Sequence, residues 1–294
     1  MPATTQPSMT QYPVPVWYRV VSRIRGLASG AGPWLILVGL LGGFALPAAW
    51  FPDRLALGLG LAGLGLIVLG VGLALTPYRP SLSRRPVGTP VHGRWRAQNS
   101  PTTRVPSHGT HGFGQTYGID LIYEPEPGAR PVFGAGRGFR PPTDFPAYGE
   151  PVFACADGEV LAVRDRGRDH ASRSSWLAYA YMMAEGSLRE LAGTRAVLGN
   201  HVVLDIGAGQ HAAYAHLRRG SVLVRPGDRV YRGQIIAECG NSGNTSEPHL
   251  HFQLMDRRRP ALAAGVPFDF VDARVDGEIA VPGDDQIMDV GGPP

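Results

Sequence analysis

Lysine is absent: all 28 basic residues of this 294-residue chain are arginine. That excludes lysine Schiff-base chemistry, a lipoyl- or biotinyl-lysine carrier and a Walker-type nucleotide site. The carrier-like rhythm of VRPGDRVYRGQII therefore reflects a shared strand pattern only. Cysteine is nearly absent too, with only Cys155 and Cys239. Two are too few for a disulfide-dense scaffold or a four-cysteine zinc site, and the sequence leaves a single disulfide between them open. Charge is sparse, at 18% of residues with a net +4, and the arginines are scattered rather than gathered on an aromatic-studded face. Nucleic acid is thereby excluded as a partner. With 44% hydrophobic residues the chain can build one packed domain with additional segments.

Two runs hold no charge at all, Trp34–Trp50 and Leu55–Leu75. The second has 21 residues, and at about 1.5 Å per helical residue it reaches roughly 30 Å, the thickness of a hydrocarbon core. The pair predicts a transmembrane helical hairpin over 34–76, with Asp53 and Arg54 in its connection and the lipid bilayer as a partner. Gly58, Gly60, Gly63, Gly65, Gly70 and Gly72 would let the second helix approach the first closely. Arg19, Arg23 and Arg25 precede the hairpin and Arg79, Arg84 and Arg85 follow it, so the positive-inside rule puts both ends in the cytoplasm. Residues 1–33 read as a mobile cytoplasmic segment, 77–104 as a Pro/Arg-rich linker and 276–294 as a mobile tail.

From 105 to 275 short apolar runs alternate with Gly, Pro, Asn and Asp turns, as in PVFACADGEVLAV, NHVVLDIG, HAAYAHL and HLHFQLM. This pattern predicts a mainly β fold, an antiparallel β-sheet groove domain. One segment near 174–193 has helical spacing after a Ser-rich start and reads as a helical insertion, with Tyr179, Tyr181, Met182 and Met183 as packing residues.

The chemistry concentrates in histidines. In Pro248-His249-Leu250-His251-Phe252 the two imidazoles sit at i and i+2 of a strand and therefore share one face. His216, closing the strand-like AYAHL, is a third candidate for that face. Asp120 lies in the apolar run TYGIDL, where a buried carboxylate needs a cation or several donors. Two neutral imidazole nitrogens and one carboxylate around an open position are a catalytic zinc arrangement, suited to amide hydrolysis.

These residues resemble the lysostaphin-like zinc metallopeptidases, which cleave peptide bonds of bacterial cell-wall peptidoglycan. The resemblance runs from about Val105 to Phe270 and rests on TYGIDL, PVFACADGEV, GNHVVLDIG with YAHL, and VRPGDRVYRGQIIAECGNSGNTSEPHLHFQL. It implies zinc on Asp120 and His251, with His216 and His249 as the catalytic pair. Family members carry the remaining ligand as a histidine four residues before the aspartate, where this chain has Thr116. His111 and His108 lie just upstream, and His111, the nearer, is taken as the replacement ligand.

The expected protein is thus a membrane-anchored zinc metalloendopeptidase of the bacterial cell membrane, multi-pass, acting on peptidoglycan stem or cross-bridge peptides. The alternative is a catalytically silent domain that binds such peptides or a partner and regulates another hydrolase, motivated by Thr116. The resemblance puts the domain outside the cell, and the arginines put it inside.

Overall fold

The structure is a computed structural model that describes residues 13–76 and 78–291. The first helix, α1, runs Val16–Ala45, and the second, α2, runs Asp53–Leu75. Both are long and apolar enough to cross a membrane, and only 22% and 11% of their most apolar windows is buried. The helices approach closely at their glycines: a Cβ added at Gly63 would stand 2.6 Å from the Gly32 carbonyl oxygen, and one at Gly70 would run into the Ser29 hydroxyl. Gly58, Gly60, Gly65 and Gly72 face open space instead.

The first helix does not share the bounds of the expected first span. The helix begins at Val16 rather than Trp34, and Leu46–Trp50 forms a turn beyond its end. Residues 16–33 are accordingly helical, with Tyr18, Ser22, Arg25 and Ala28 buried at helical spacing. Residues 1–12, which share the expectation of a mobile segment, lie outside the described residues.

The soluble part is built on one large antiparallel sheet. Its order is Arg229–Val230, Gly158–Arg164, Asn200–Asp205, His211–Leu217, Leu250–Met255, Ile119–Tyr123, Gly93–Gln98, Ile287–Val290, Ala273–Val275 and Glu278–Ile279. Even-numbered residues of the Leu250–Met255 strand point into the core, where Phe252 stacks among Tyr214, Phe268 and Phe270. Odd-numbered ones point to the opposite face, which carries the polar site.

Two boundaries differ from the sequence expectation. Gly93–Gln98, inside the expected linker, is a sheet strand with Trp95 and Ala97 fully buried, because its alternation, short as it is, buries every second residue. Ile287–Val290, inside the expected mobile tail, pairs with that strand, Met288 opposite Trp95. Cys155 and Cys239 are free thiols buried in the same core, so no disulfide links them.

The helical insertion is present as α3, Trp176–Ala192, followed by a short α4, Thr194–Leu198. Ser175 caps α3 by accepting the Ala178 amide, and Gly193 closes it at φ +85°. Its aromatic and methionine residues are not packing residues, however. Tyr179, Tyr181 and Met183 are exposed and only Met182 is half-buried.

Candidate active site and family

Strand register assembles the site. His251 pairs directly with Asp120 on one neighbouring strand and with Ala215 on the other, which puts the imidazole and the carboxylate side by side on one sheet face. His249, two residues earlier, shares that face. His216 would by alternation point to the core, but a register shift between Asn200 and His201 and a φ of +63° at His216 redirect it. Its ring comes within 4.8 Å of His249 and 5.7 Å of His251, centroid to centroid.

The third histidine at Asp120 is His108. His108 Nε2 is 3.1 Å and His251 Nδ1 2.8 Å from Asp120 Oδ1. Ligand-ligand distances around tetrahedral zinc are about 3.3 Å, given bonds of about 2.0–2.1 Å. Among the described residues these three form the one group of His, Cys, Asp or Glu that could hold a metal ion, with donor atoms within 4.8 Å of one another.

Surrounding bonds fix each donor. Gln253 donates through Nε2 to the Phe113 carbonyl, so its Oε1 faces His251 and accepts from His251 Nε2–H at 2.8 Å, leaving the Nδ1 lone pair on the site. His108 Nδ1 is 3.0 Å from Ser107 Oγ, whose proton goes to the Gln115 carbonyl, so the His108 Nδ1–H donates and its Nε2 lone pair also faces the site. Asn99 donates to Asp120 Oδ2 at 2.8 Å and leaves Oδ1 for the cluster. Two imidazole lone pairs and a carboxylate oxygen, 7% exposed at Asp120 and 2% at His251, thus face one another, an arrangement that a cation resolves.

His111, the ligand expected from the sequence, is elsewhere. Its Nδ1 bonds the Thr116 hydroxyl at 2.9 Å, its Nε2 lies 3.1 Å from the Thr76 carbonyl, and its ring stacks on Tyr78 at 3.8 Å. Thr116 in turn accepts from the Tyr18 hydroxyl at 2.7 Å. Both residues join the domain to the hairpin. The reason is the backbone of the intervening loop: Phe113 and Gly114 take φ of +53° and +75°, turning the chain so that His108 returns to Asp120 while His111 does not.

His216 and His249 are oriented alike. His216 Nδ1 is 2.9 Å from the Ser242 carbonyl and His249 Nδ1 2.8 Å from the Glu247 carbonyl. A carbonyl only accepts, so each neutral ring carries its proton on Nδ1 and keeps Nε2 as the basic nitrogen. Burial, with His249 and His251 close by, pushes the His216 pKa well below its ordinary value, so His216 is neutral at pH 7. Sequence reasoning missed Asn99, Ser107 and Gln253 in this arrangement. Gln253 alone carried a signal, since it shares the i+2 face with His251.

Residues 142–262 match the family model described as peptidase family M23, a stretch that includes His216, His249 and His251 but begins after His108 and Asp120. The chain is 42% identical over 71 residues to peptidoglycan DD-endopeptidase ShyA of Vibrio cholerae, which covers 24% of this chain and 16% of that protein. It is 32% identical over 128 residues to ShyB of the same organism, covering 42% and 23%. To the glycyl-glycine endopeptidase ALE-1 of Staphylococcus capitis it is 37% identical over 90 residues, covering 30% and 24%. The matches span no more than about a quarter of these relatives' lengths. The chain carries a peptidase family M23 domain, homologous to the lysostaphin-type endopeptidases.

Proposed function

We propose that the chain is a membrane-anchored zinc endopeptidase that hydrolyses peptide bonds in peptidoglycan stem or cross-bridge peptides. The observation that carries this reading is the meeting of His108, Asp120 and His251 with His216 and His249 on one sheet face. The relatives' endopeptidase names support the reaction, and their peptidoglycan substrate supports the substrate class. In this reading His108 takes the ligand role first assigned to His111, beside Asp120 and His251.

Zinc, when bound, supplies the Lewis acidity that polarises a scissile carbonyl and acidifies water. The chain's own residues supply the proton handling. His249 Nε2 stands 3.6 Å from Asp120 Oδ1, close enough to the metal ligands to take a proton from attacking water. His216, neutral and with its Nδ1 proton held by Ser242, accepts at Nε2 or, once protonated, donates there to a developing oxyanion or leaving amine. The two backbone carbonyls keep both rings in the productive tautomer.

The silent-domain alternative loses its motive, because His108 occupies the position beside Asp120 that Thr116 leaves vacant. The substrate reading puts the domain on the outer side, where peptidoglycan lies, against the side that the flanking arginines give. Three of those arginines also tie the hairpin and its flanks to the domain: Arg25 is buried and donates to the Ala263 carbonyl, Arg23 pairs with Asp256 and Arg84 with Asp269. Incubating the full chain with purified peptidoglycan tests the proposal. Release of new amino termini, abolished in His249→Ala, is expected; no release by a zinc-loaded chain would overturn it.

A further inference from the structure

We propose that α3 is a membrane-surface helix, whose outward apolar face lies at the boundary between lipid headgroups and acyl chains beside α1. The proposal rests on the reading of α1 and α2 as membrane spans.

The helix is amphipathic in the reverse sense of a soluble-protein helix. Trp176, Ala180, Ala184, Leu188 and Leu191 recur at helical spacing on one face. That face is turned outward, with Trp176 75%, Leu177 82%, Leu188 68% and Leu191 60% exposed. The inner side holds the polar contacts: Glu185 pairs with Arg173 and Arg189, and Gly186 is buried against Asn244. Two aromatic contacts widen the patch, Phe133 with Trp176 at 5.0 Å and Phe139 with Tyr181 at 6.0 Å between ring centroids. A contiguous exposed apolar patch rimmed by polar residues marks a docking site.

Continuity with the hairpin identifies the occupant as lipid. Cα atoms of α3 come within 8 Å of α1. The N-terminal half of α1 exposes its own apolar stripe, Val16, Val20, Ile24 and Leu27. The domain cannot swing away from the hairpin without breaking buried bonds: Tyr18 to Thr116, Arg25 to the Ala263 carbonyl, and the His111 amide to the Ala74 carbonyl. An apolar face held beside a spanning helix meets the bilayer surface, and Trp176 and Tyr181 bring the amphipathic rings that favour headgroup depth. Such a contact would hold the site at a fixed height above the lipid and restrict it to peptides close to the membrane.

Nitroxide labels test this in the full chain reconstituted into lipid vesicles. Both native thiols are buried, so a cysteine introduced at Leu188, Leu64 or Leu223 is labelled selectively. Leu64 reports the α2 span, and Leu223, exposed and outside the patch, reports water. Collisions with dissolved oxygen and with a water-soluble nickel chelate are compared at each position. The expected result is a label at Leu188→Cys that, like Leu64→Cys, meets oxygen several-fold more than nickel chelate, whereas Leu223→Cys meets nickel freely. Nickel access at Leu188→Cys equal to that at Leu223→Cys, with Leu64→Cys shielded, would overturn the α3 proposal and leave the spans standing. Nickel access at Leu64→Cys as well would overturn both. Shielding at Leu188→Cys with spin-spin broadening that grows with protein density would assign the face to a second copy and overturn the lipid assignment.

Discussion

His111 Nδ1 lies 2.9 Å from the Thr116 hydroxyl, and this pair joins the hairpin to the β domain, apart from the cluster of His108, Asp120 and His251. The bonds form a directed chain. Tyr18 O–H donates to Thr116, the Thr116 hydroxyl proton goes to His111 Nδ1, and His111 Nε2–H goes to the Thr76 carbonyl.

Thr116→Val keeps the side-chain shape and removes the middle of that chain. The expected cost is about 1–3 kcal/mol at the hairpin-domain contact, the penalty of unmade buried hydrogen bonds. Faster hydrogen exchange around Gly265, whose amide donates to the Tyr18 hydroxyl, is the readout. Metal content should not change, and metal loss would return Thr116 to the site.

Acid should loosen the same contact through His111. Its pKa is pushed down to about 4, by burial first and by the nearby Arg25 second. A neutral His111 is what the fold uses, since Nδ1 must accept from Thr116. The stabilisation is therefore complete above the unfolded value of about 6.5 and is lost as pH falls from there towards about 4. The opening equilibrium at the contact, read as the exchange rate divided by the intrinsic rate at each pH from 7 to 4, should rise in the parent chain and be flatter in His111→Phe. An equal rise in both would assign the acid response to another group.

Gln253→Leu removes the acceptor that fixes His251 in the Nδ1-ligating tautomer. Outer partners of metal-binding histidines are worth about 10- to 100-fold in affinity. Competition with a chelator should show weaker zinc binding of that size with the fold unchanged by circular dichroism. Unchanged affinity would mean that Gln253 only fills space.

His216→Ala and His249→Ala should each retain the metal and lose hydrolysis by about 10²- to 10⁴-fold, the usual worth of a proton-transfer group. Activity and metal content measured on the same preparations separate this from a ligand role, in which both would fall together.

The β fold and most of the site were legible because both follow period two. The HLH triplet and TYGIDL declare a shared face, and the register of His251 against Asp120 makes that face one site. What alternation does not encode stayed hidden. The choice between His108 and His111 depends on positive φ at Phe113 and Gly114, which no spacing reveals. His216 reaches the site only through a bulge. The strands at Gly93–Gln98 and Ile287–Val290 are short and sit in composition typical of linkers and tails, so only their long-range pairing marks them. For α3 the spacing gave the helix correctly but assigned its apolar residues to packing, because periodicity gives a face and not what covers it.

Zinc stoichiometry of the full chain and its His108→Ala, His111→Ala and His251→Ala variants tests the central claim most directly. The account predicts one tightly bound zinc in the parent and in His111→Ala, and none in His108→Ala or His251→Ala. Zinc retained by His108→Ala and lost from His111→Ala would contradict it, and so would a parent chain that binds no zinc.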